Sequence, residues 1–199
     1  MNKLNILIVF IITLSCKAQS PIVDIDTWDG DSQVNAYYKD VNNYFNDFIG
    51  TWLYTDGTTS FKIVLEKKTM AYTGKFYMDY IIGEYQYIEN GIEKINTIPN
   101  LSQPRLHSLV GSTLLDNSAS SRPYCPTCPA NERRLKVGLY DRPRKLTGTF
   151  TLKRVNVGSQ TALEGYLWGD GVPGGINVDN PPQYTELTVP TGTFIFVKQ

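Results

Sequence analysis

The feature that most constrains the fold is a repeated alternation of apolar and polar residues over short stretches, divided by turn signals. Phe61, Ile63 and Leu65 occupy alternate positions of one stretch, and Val137 and Leu139 do so in a later one. Such alternation is typical of β-strands with one buried face. Asp-Gly at 56–57 and Asn-Gly at 90–91 are typical of two-residue hairpin turns. The chain after residue 49 therefore predicts about nine or ten strands.

The short links between these strands determine how they pair. Hairpin-length connections cannot join parallel strands, so we predict an antiparallel sheet. A long meander protects its edges by closing into a barrel or folding into a sandwich. We predict an all-β fold, an antiparallel meander that closes into a β-barrel, as a single domain over residues 37–199. Two longer loops interrupt it, at 116–132 and 169–189.

One short amphipathic segment precedes the predicted strands. Its apolar residues are spaced as on one face of a helix: Val41, Tyr44, Phe45 and Phe48. This spacing predicts a short helix within residues 37–48. Asp40 or Asn35 would cap it, because both residue types accept hydrogen bonds from free backbone N–H groups.

Gly50-Thr51-Trp52, directly after this segment, resembles the Gly-x-Trp signature that opens the first strand of lipocalins. The resemblance implies a lipocalin-like barrel whose base is closed by Trp52 beneath a short helix, with an apolar ligand held above it. Barrels of this size are also found with interiors filled by side chains. The candidate residues for lining a cavity, or else for packing a core, are Trp52, Tyr54, Phe61, Phe150, Tyr166 and Phe194.

Residues 1–15 have the pattern of an export signal. Lys3 precedes an unbroken apolar run at 6–12, which is too short to span a bilayer as a helix. Leu14-Ser15-Cys16 resembles the bacterial lipobox, in which the cysteine is acylated and becomes the first residue. The alternative is cleavage after Ala18, which would release a soluble secreted protein.

We favour lipidation of Cys16, because a cysteine has little other reason to end an apolar signal segment. The expected partner is then a membrane, reached through the lipid anchor in the cell envelope, at the outer membrane or the periplasmic face. Residues 16–36 are polar and show little periodicity, so we predict a tether there.

The segment Cys125-Pro126-Thr127-Cys128 has three interpretations. A disulfide suits an oxidising, exported compartment, and we favour it. A zinc site would need two further ligands, for which His107 and carboxylates are the candidates. A redox pair would need to begin a helix in a βαβ unit, whereas this segment lies in a loop rich in Ser and Pro.

Composition excludes several classes of function. The 19 basic and 19 acidic residues balance to a net charge of zero, which argues against a nucleic-acid partner. Residues 169–174 match the letters of a dinucleotide fingerprint, but prolines around them oppose the helix that such a site requires. His107 is the single histidine, and no Gly-x-Ser-x-Gly elbow is present. We predict no catalytic residue, no metal and no cofactor.

Two functions remain, and both are non-enzymatic. The first is a binding module for a small lipophile or a partner's surface. The second is a structural or interaction protein of the envelope with a filled barrel. An enzyme would need a polar cluster in one cleft that contains His107 or the Cys125/Cys128 pair.

The chain as a whole is similar to an uncharacterised family of small flavobacterial exported lipoproteins. The resemblance implies export and lipidation but no known activity. It rests on Ser15-Cys16-Lys17-Ala18-Gln19-Ser20, Ala36-Tyr37-Tyr38-Lys39-Asp40, Phe48-Ile49-Gly50-Thr51-Trp52, the Asn90-Gly91 hairpin, the cysteine pair with Glu132-Arg133-Arg134, and Asp141-Arg142-Pro143.

Overall fold

The computed structural model describes residues 21–104, 106–117, 125–126, 128–169 and 183–199. Within these residues it contains three short 3-10 helices, Ile25–Thr27, Tyr44–Asp47 and Ile98–Asn100, and eleven strands. The strands are β1 Ile22–Asp24, β2 Tyr37–Lys39, β3 Gly50–Asp56, β4 Thr59–Tyr72, β5 Tyr77–Glu89, β6 Ile92–Asn96, β7 Leu109–Leu115, β8 Arg134–Asp141, β9 Leu146–Val157, β10 Gln160–Gly169 and β11 Gly192–Lys198.

Eight of these strands form a closed antiparallel barrel. Their order is β5-β4-β3-β11-β10-β9-β8-β7, and β7 pairs with β5 to close the ring. The all-β class and the lipocalin-like barrel predicted from the sequence are confirmed. Short hairpins place β3 beside β4, β4 beside β5, β8 beside β9 and β9 beside β10. The pairings of β7 with β5 and of the last strand, β11, with the first barrel strand, β3, complete the ring.

The two edges of strand β5 pair differently. One edge pairs with β4 along almost its whole length. The other edge pairs with β2 at 77–78, with β7 at 81–83 and with β6 at 86–89. Gly83 lies where β4, β5 and β7 meet, and a Cβ there would be 2.5 Å from the Val64 carbonyl oxygen. A glycine is therefore required for this close approach.

The single helix predicted within 37–48 is wrong in its type and extent. The segment forms strand β2 and then the 3-10 helix Tyr44–Asp47. Asp40 is the physical reason, because its carboxylate accepts hydrogen bonds from the backbone N–H groups of Tyr44 at 2.8 Å and Phe45 at 3.0 Å. Asp40 thus supplies the capping carboxylate that the sequence suggested, from three residues before the N-cap residue Asn43, but the helix has only four residues.

Part of the segment predicted to be a tether, residues 16–36, is folded: from Ile22 onward the chain packs against the barrel. Strand β1 pairs in parallel with β2, and Ile25 is buried in the core. The Trp28 ring packs against Tyr38 with centroids 5.0 Å apart. These apolar residues were not predicted to be buried, because the segment is mostly polar and their spacing fits neither a helix nor a long strand.

The two ends of the barrel are closed by the chain itself. At one end, Leu187 and Val189 are buried before β11 begins, and Arg144 donates hydrogen bonds to the carbonyl of Leu187 at 2.9 Å. At the other end, the Trp52 indole donates to the Phe48 carbonyl at 2.8 Å. This end, called the base below, has the closing tryptophan that the lipocalin resemblance implies. In the part of the chain that is described, no helix is long and apolar enough to cross a membrane.

Candidate functional site

The interior of the barrel is occupied by aromatic side chains. The Phe61 ring is fully buried and contacts five other rings at centroid distances of 5.2 to 6.0 Å. Edge-to-face and stacked contacts of this kind are favourable beyond the burial of their area. The five rings are those of Tyr85, Tyr87, Phe150, Phe194 and Phe196.

Gly165 shows how tightly these rings are packed. A Cβ at this position would lie 2.8 Å from the Phe150 ring and 2.9 Å from the Phe196 ring. Real Cβ contacts are longer, so the two rings fill the space that a larger residue would need. Beside Phe61, burial raises the pKa of the Tyr85 hydroxyl, and the nearby carboxylates of Asp141 and Glu84 add to this shift.

The six predicted cavity residues separate into two groups. Trp52, Phe61 and Phe150 are fully buried, Phe194 is 6% exposed, and Tyr54 packs edge-to-face on Phe194 at 5.1 Å. The sixth, Tyr166, is 43% exposed and lies outside the barrel, stacked on Trp168 at 5.5 Å.

Tyr166 points outward because its neighbours Gly165 and Leu167 are buried, and side chains alternate along a strand. The grooves on the described part of the chain include five with volumes of about 280 to 710 Å³. None of these five is lined by any of the six predicted residues.

His107 borders the largest of these grooves, of about 710 Å³. Its Nδ1 lies 3.2 Å from Oε1 of Glu84, a side chain with no exposed surface. The same oxygen accepts the Ser108 backbone N–H at 3.3 Å, while Oε2 has no hydrogen-bond partner in the described residues. The Ser108 hydroxyl instead accepts a hydrogen bond from Arg142 at 3.2 Å.

This arrangement orients an imidazole but does not assemble a nucleophile. A carboxylate at Nδ1 fixes the ring and its tautomer, as in hydrolase triads. A triad also needs a hydroxyl that donates to the other ring nitrogen, and within the described residues the hydrogen bond of His107 is the one through Nδ1. The two lysines of the groove are engaged by carboxylates, Lys67 by Asp40 and Lys68 by Glu66. The contact between Glu84 and His107 therefore fastens the segment before β7 to β5.

A buried polar cluster lies at the base. Lys67 Nζ is 2.7 Å from Asp40 and 3.9 Å from Asp79, and both carboxylates are almost fully buried. Asp79 also accepts the Tyr37 hydroxyl at 2.6 Å and the Met70 backbone N–H at 2.9 Å. Burial, together with the hydrogen bond to Asp79, raises the pKa of Tyr37 to about 12. These contacts join β2, β4, β5 and the capped turn into one unit.

Cys125 and Cys128 form a disulfide in the structure, with Cα atoms 5.4 Å apart. The disulfide interpretation of this pair is therefore supported. Among the described residues, no group of three or more His, Cys, Asp or Glu side chains is placed to hold a metal ion. Cys16 and the signal segment lie outside the described residues.

A protein-family model matches residues 1–199, the whole chain, and its description is a family of unknown function, DUF6705. The chain belongs to the DUF6705 family. No curated protein and no solved structure matches it. Membership agrees with the resemblance to an uncharacterised family, and it assigns no activity.

Two groups in this DUF6705 chain were not predicted from the sequence as sites. The pairs Lys67/Asp40 and His107/Glu84 join residues separated by 27 and 23 positions, so no local pattern brings them together. One signal was available for the first pair. Lys67 lies on the inward face of β4, in alternation with Phe61, Ile63 and Leu65, where a cation requires a buried partner.

Proposed function

We propose that the protein is an exported, lipid-anchored and non-enzymatic protein of the cell envelope that acts through its outer surface. The observation that carries this proposal is the packing of the buried Phe61 against five rings inside the barrel. The barrel is then a filled scaffold rather than a container for a small lipophile.

The energetic argument concerns what an internal ligand would have to displace. Removing the contacts of one buried phenylalanine costs about 3–5 kcal/mol. A lipophile that entered beside Phe61 would have to move Phe150 or Phe196, because Gly165 already leaves no space for a methyl group. A binding surface on the outside needs no such rearrangement.

The anchoring part of the proposal is supported by the sequence. Cys16 follows an apolar signal run, and Ser15 precedes it. The lipoprotein modification supplies several acyl chains, and more than one chain is needed for stable anchoring. The disulfide between Cys125 and Cys128 agrees with an oxidising compartment.

Benzene binding tests the filled barrel. We expect benzene to leave the unfolding temperature of the wild-type protein unchanged, since the rings around Phe61 and Gly165 fill the described part of the interior. Phe150→Ala is the matched control, because it opens a cavity beside Phe61 and should gain a benzene-dependent increase in unfolding temperature. If the control is too unstable, Phe150→Leu opens a smaller cavity. A wild-type protein that is itself stabilised by benzene would overturn this part of the proposal.

Detergent partitioning tests the anchor. The wild-type protein expressed in a bacterial host should enter the detergent phase and carry the mass of the acyl chains. Cys16→Ala should move the protein to the aqueous phase, because the acceptor thiol is lost. An aqueous wild-type protein that begins at Gln19 would instead establish cleavage after Ala18, and the anchored role would be abandoned.

A further inference from the structure

The position of β1 limits where the barrel sits relative to its anchor. This inference rests on the proposed acylation of Cys16. Six residue steps separate Cys16 from Ile22, the first residue of β1, and they span at most about 20 Å when fully extended. Strand β4 alone has 14 residues and extends about 45 Å. An anchored barrel therefore has its base, and not its far end, close to the bilayer.

The strands at the base carry a row of apolar and aromatic side chains. Ile22 pairs with Tyr37, Tyr37 with Tyr77, and Tyr77 with Tyr72, across β1, β2, β5 and β4. Directly paired residues point to the same face of a sheet. Three strand spacings make this row about 14 Å wide, which is within the reach of the anchor.

Much of this row and its surroundings is exposed. Ile22 is 61% exposed, Tyr72 59% and Met70 56%, and the rings of Tyr72 and Tyr77 are 5.1 Å apart. Val34 is 65% exposed, and the next residue hydrogen-bonds to the tip of the β4–β5 hairpin. We call Ile22, Val34, Met70, Tyr72 and Tyr77 the base patch.

The buried cluster at the base holds this patch in position. Asp79 accepts hydrogen bonds from the Tyr37 hydroxyl, in the row, and from the Met70 backbone N–H, in the patch. Met70 has a φ of +50° at the irregularity between Lys68 and Ala71 where the β4–β5 register shifts. The carboxylate thus fixes the Met70 backbone in a left-handed conformation whose side chain is 56% exposed. A group of exposed apolar side chains on one part of the surface is typical of an interaction site.

We propose that the base patch docks onto the bilayer that holds the acyl chains of Cys16. Tyrosine rings suit this location, because their apolar bodies and polar hydroxyls match the boundary between acyl chains and headgroups. Lys39 and Lys75 are exposed on β2 and at the hairpin tip, where they can meet lipid phosphates. The anchor supplies the affinity, and the patch sets the orientation of the barrel.

A fluorescence experiment on the acylated full-length protein tests this orientation. The protein is placed in vesicles of phosphatidylethanolamine and phosphatidylglycerol that contain a headgroup-nitroxide lipid. An environment-sensitive dye is attached at Lys75→Cys, at the hairpin tip beside the patch. The matched control is Thr58→Cys, an exposed position in the hairpin at the opposite end of the barrel. Vesicle flotation is measured on the same samples.

We expect the protein to float with the vesicles and the dye at position 75 to be quenched several-fold more than the dye at position 58. Flotation with equal quenching at both positions, or with stronger quenching at position 58, would overturn the docking of the base patch and leave the anchor intact. Failure to float would overturn the proposed anchoring, and the docking would fall with it.

Discussion

At the scale of single residues, glycines decide how closely the rings of the barrel approach each other. Gly165 faces inward on β10, where Phe150 and Phe196 come within 2.9 Å of the position that a Cβ would take. Gly138 on β8 is different, since a Cβ there would meet the Val110 carbonyl oxygen at an ordinary 3.7 Å. The two glycines therefore have different roles in the same sheet.

Gly165→Ala should destabilise the protein by about 1–3 kcal/mol, because overpacking displaces the two rings. Gly138→Ala is the matched control and should change the free energy of unfolding by less than about 0.5 kcal/mol. Urea unfolding measures both values. If Gly165→Ala lowered the free energy of unfolding no more than Gly138→Ala does, the space beside Phe150 and Phe196 would be large enough for a methyl group, which would contradict the filled interior.

The raised pKa of Tyr37 predicts that the protein loses stability in alkaline solution. The pKa of this hydroxyl is raised from 10.0 to about 12 in the folded protein. Below pH 10 the hydroxyl is protonated in both states, and its stabilising effect is complete. Between pH 10 and pH 12 only the unfolded chain ionises, so the free energy of unfolding falls as the pH rises.

Tyr37→Phe should weaken this pH dependence, because the titrating group is removed. At neutral pH the variant loses the hydrogen bond to Asp79, which should cost about 1 kcal/mol. Tyr85 and Tyr87, whose pKa values are also raised by burial, leave a residual slope. Urea unfolding between pH 9 and pH 11.5 tests this, and an unchanged slope would contradict the role of Tyr37.

At the scale of elements, the segment before β3 is held by polar contacts as well as by apolar ones. Asp40 directly follows β2, its carboxylate accepts the first two backbone N–H groups of the 3-10 helix, and it pairs with Lys67 of β4. Arg133 pairs with Asp26 at 2.8 Å and so fastens the first 3-10 helix to the segment before β8. The apolar pattern within 37–48 predicted burial of Phe45 and Phe48 but not the conformation that achieves it.

Asp40→Ala should destabilise the protein by about 3 kcal/mol or more, because it leaves Lys67 and two backbone N–H groups short of partners in a buried site. Asp40→Asn separates the two effects, since an amide oxygen can still cap the turn. Glu164→Ala is the control. It removes the partner of Lys153 at 2.9 Å on the surface and should cost less than about 1 kcal/mol.

Chemical denaturation measures these variants under the same conditions. If Asp40→Ala costs no more than Glu164→Ala, the cluster at the base is not a stabilising unit.

At the scale of the whole molecule, two of the strand pairings that close the barrel are short. They are the seams between β5 and β7 and between β3 and β11. The ladder between β9 and β10 has ten residue pairs, whereas β5 and β7 share three and β3 and β11 share two. A seam with few hydrogen bonds opens at a lower free energy than a long ladder. We therefore expect the free energy of local opening to be lowest at the pairings of β5 with β7 and of β3 with β11.

Hydrogen exchange should reveal these seams. Amides of 109–111 and 197–199 should exchange at least about tenfold faster than those of 163–166, because their local opening costs less. Native-state exchange read by mass spectrometry or NMR measures this difference. Uniform protection across all three ranges would show that the barrel opens only as a whole.

Much of the fold could be predicted from local pattern, and the exceptions have a common cause. Phe61, Ile63 and Leu65 alternate along β4 and are all buried, and Asn90-Gly91 turns the chain between β5 and β6. The aromatic character of Tyr166 favours the interior, but its alternation with the buried residues Gly165 and Leu167 places it outside. The alternation along β4 indicates that Lys67 needs a buried partner, but it does not identify Asp40, because the two residues meet only through the pairing of distant segments.

Local pattern was enough to predict an antiparallel all-β chain and the buried face of strands such as β4, because alternation and turn chemistry act over a few neighbouring residues. The tertiary structure decided that the interior is filled, since Phe61 meets Phe150 and Phe196 only after strands far apart in the chain have closed into a ring. It also decided that residues from Ile22 onward fold onto the base. Space inside a barrel depends on how strands are paired around it, and no local pattern encodes that pairing.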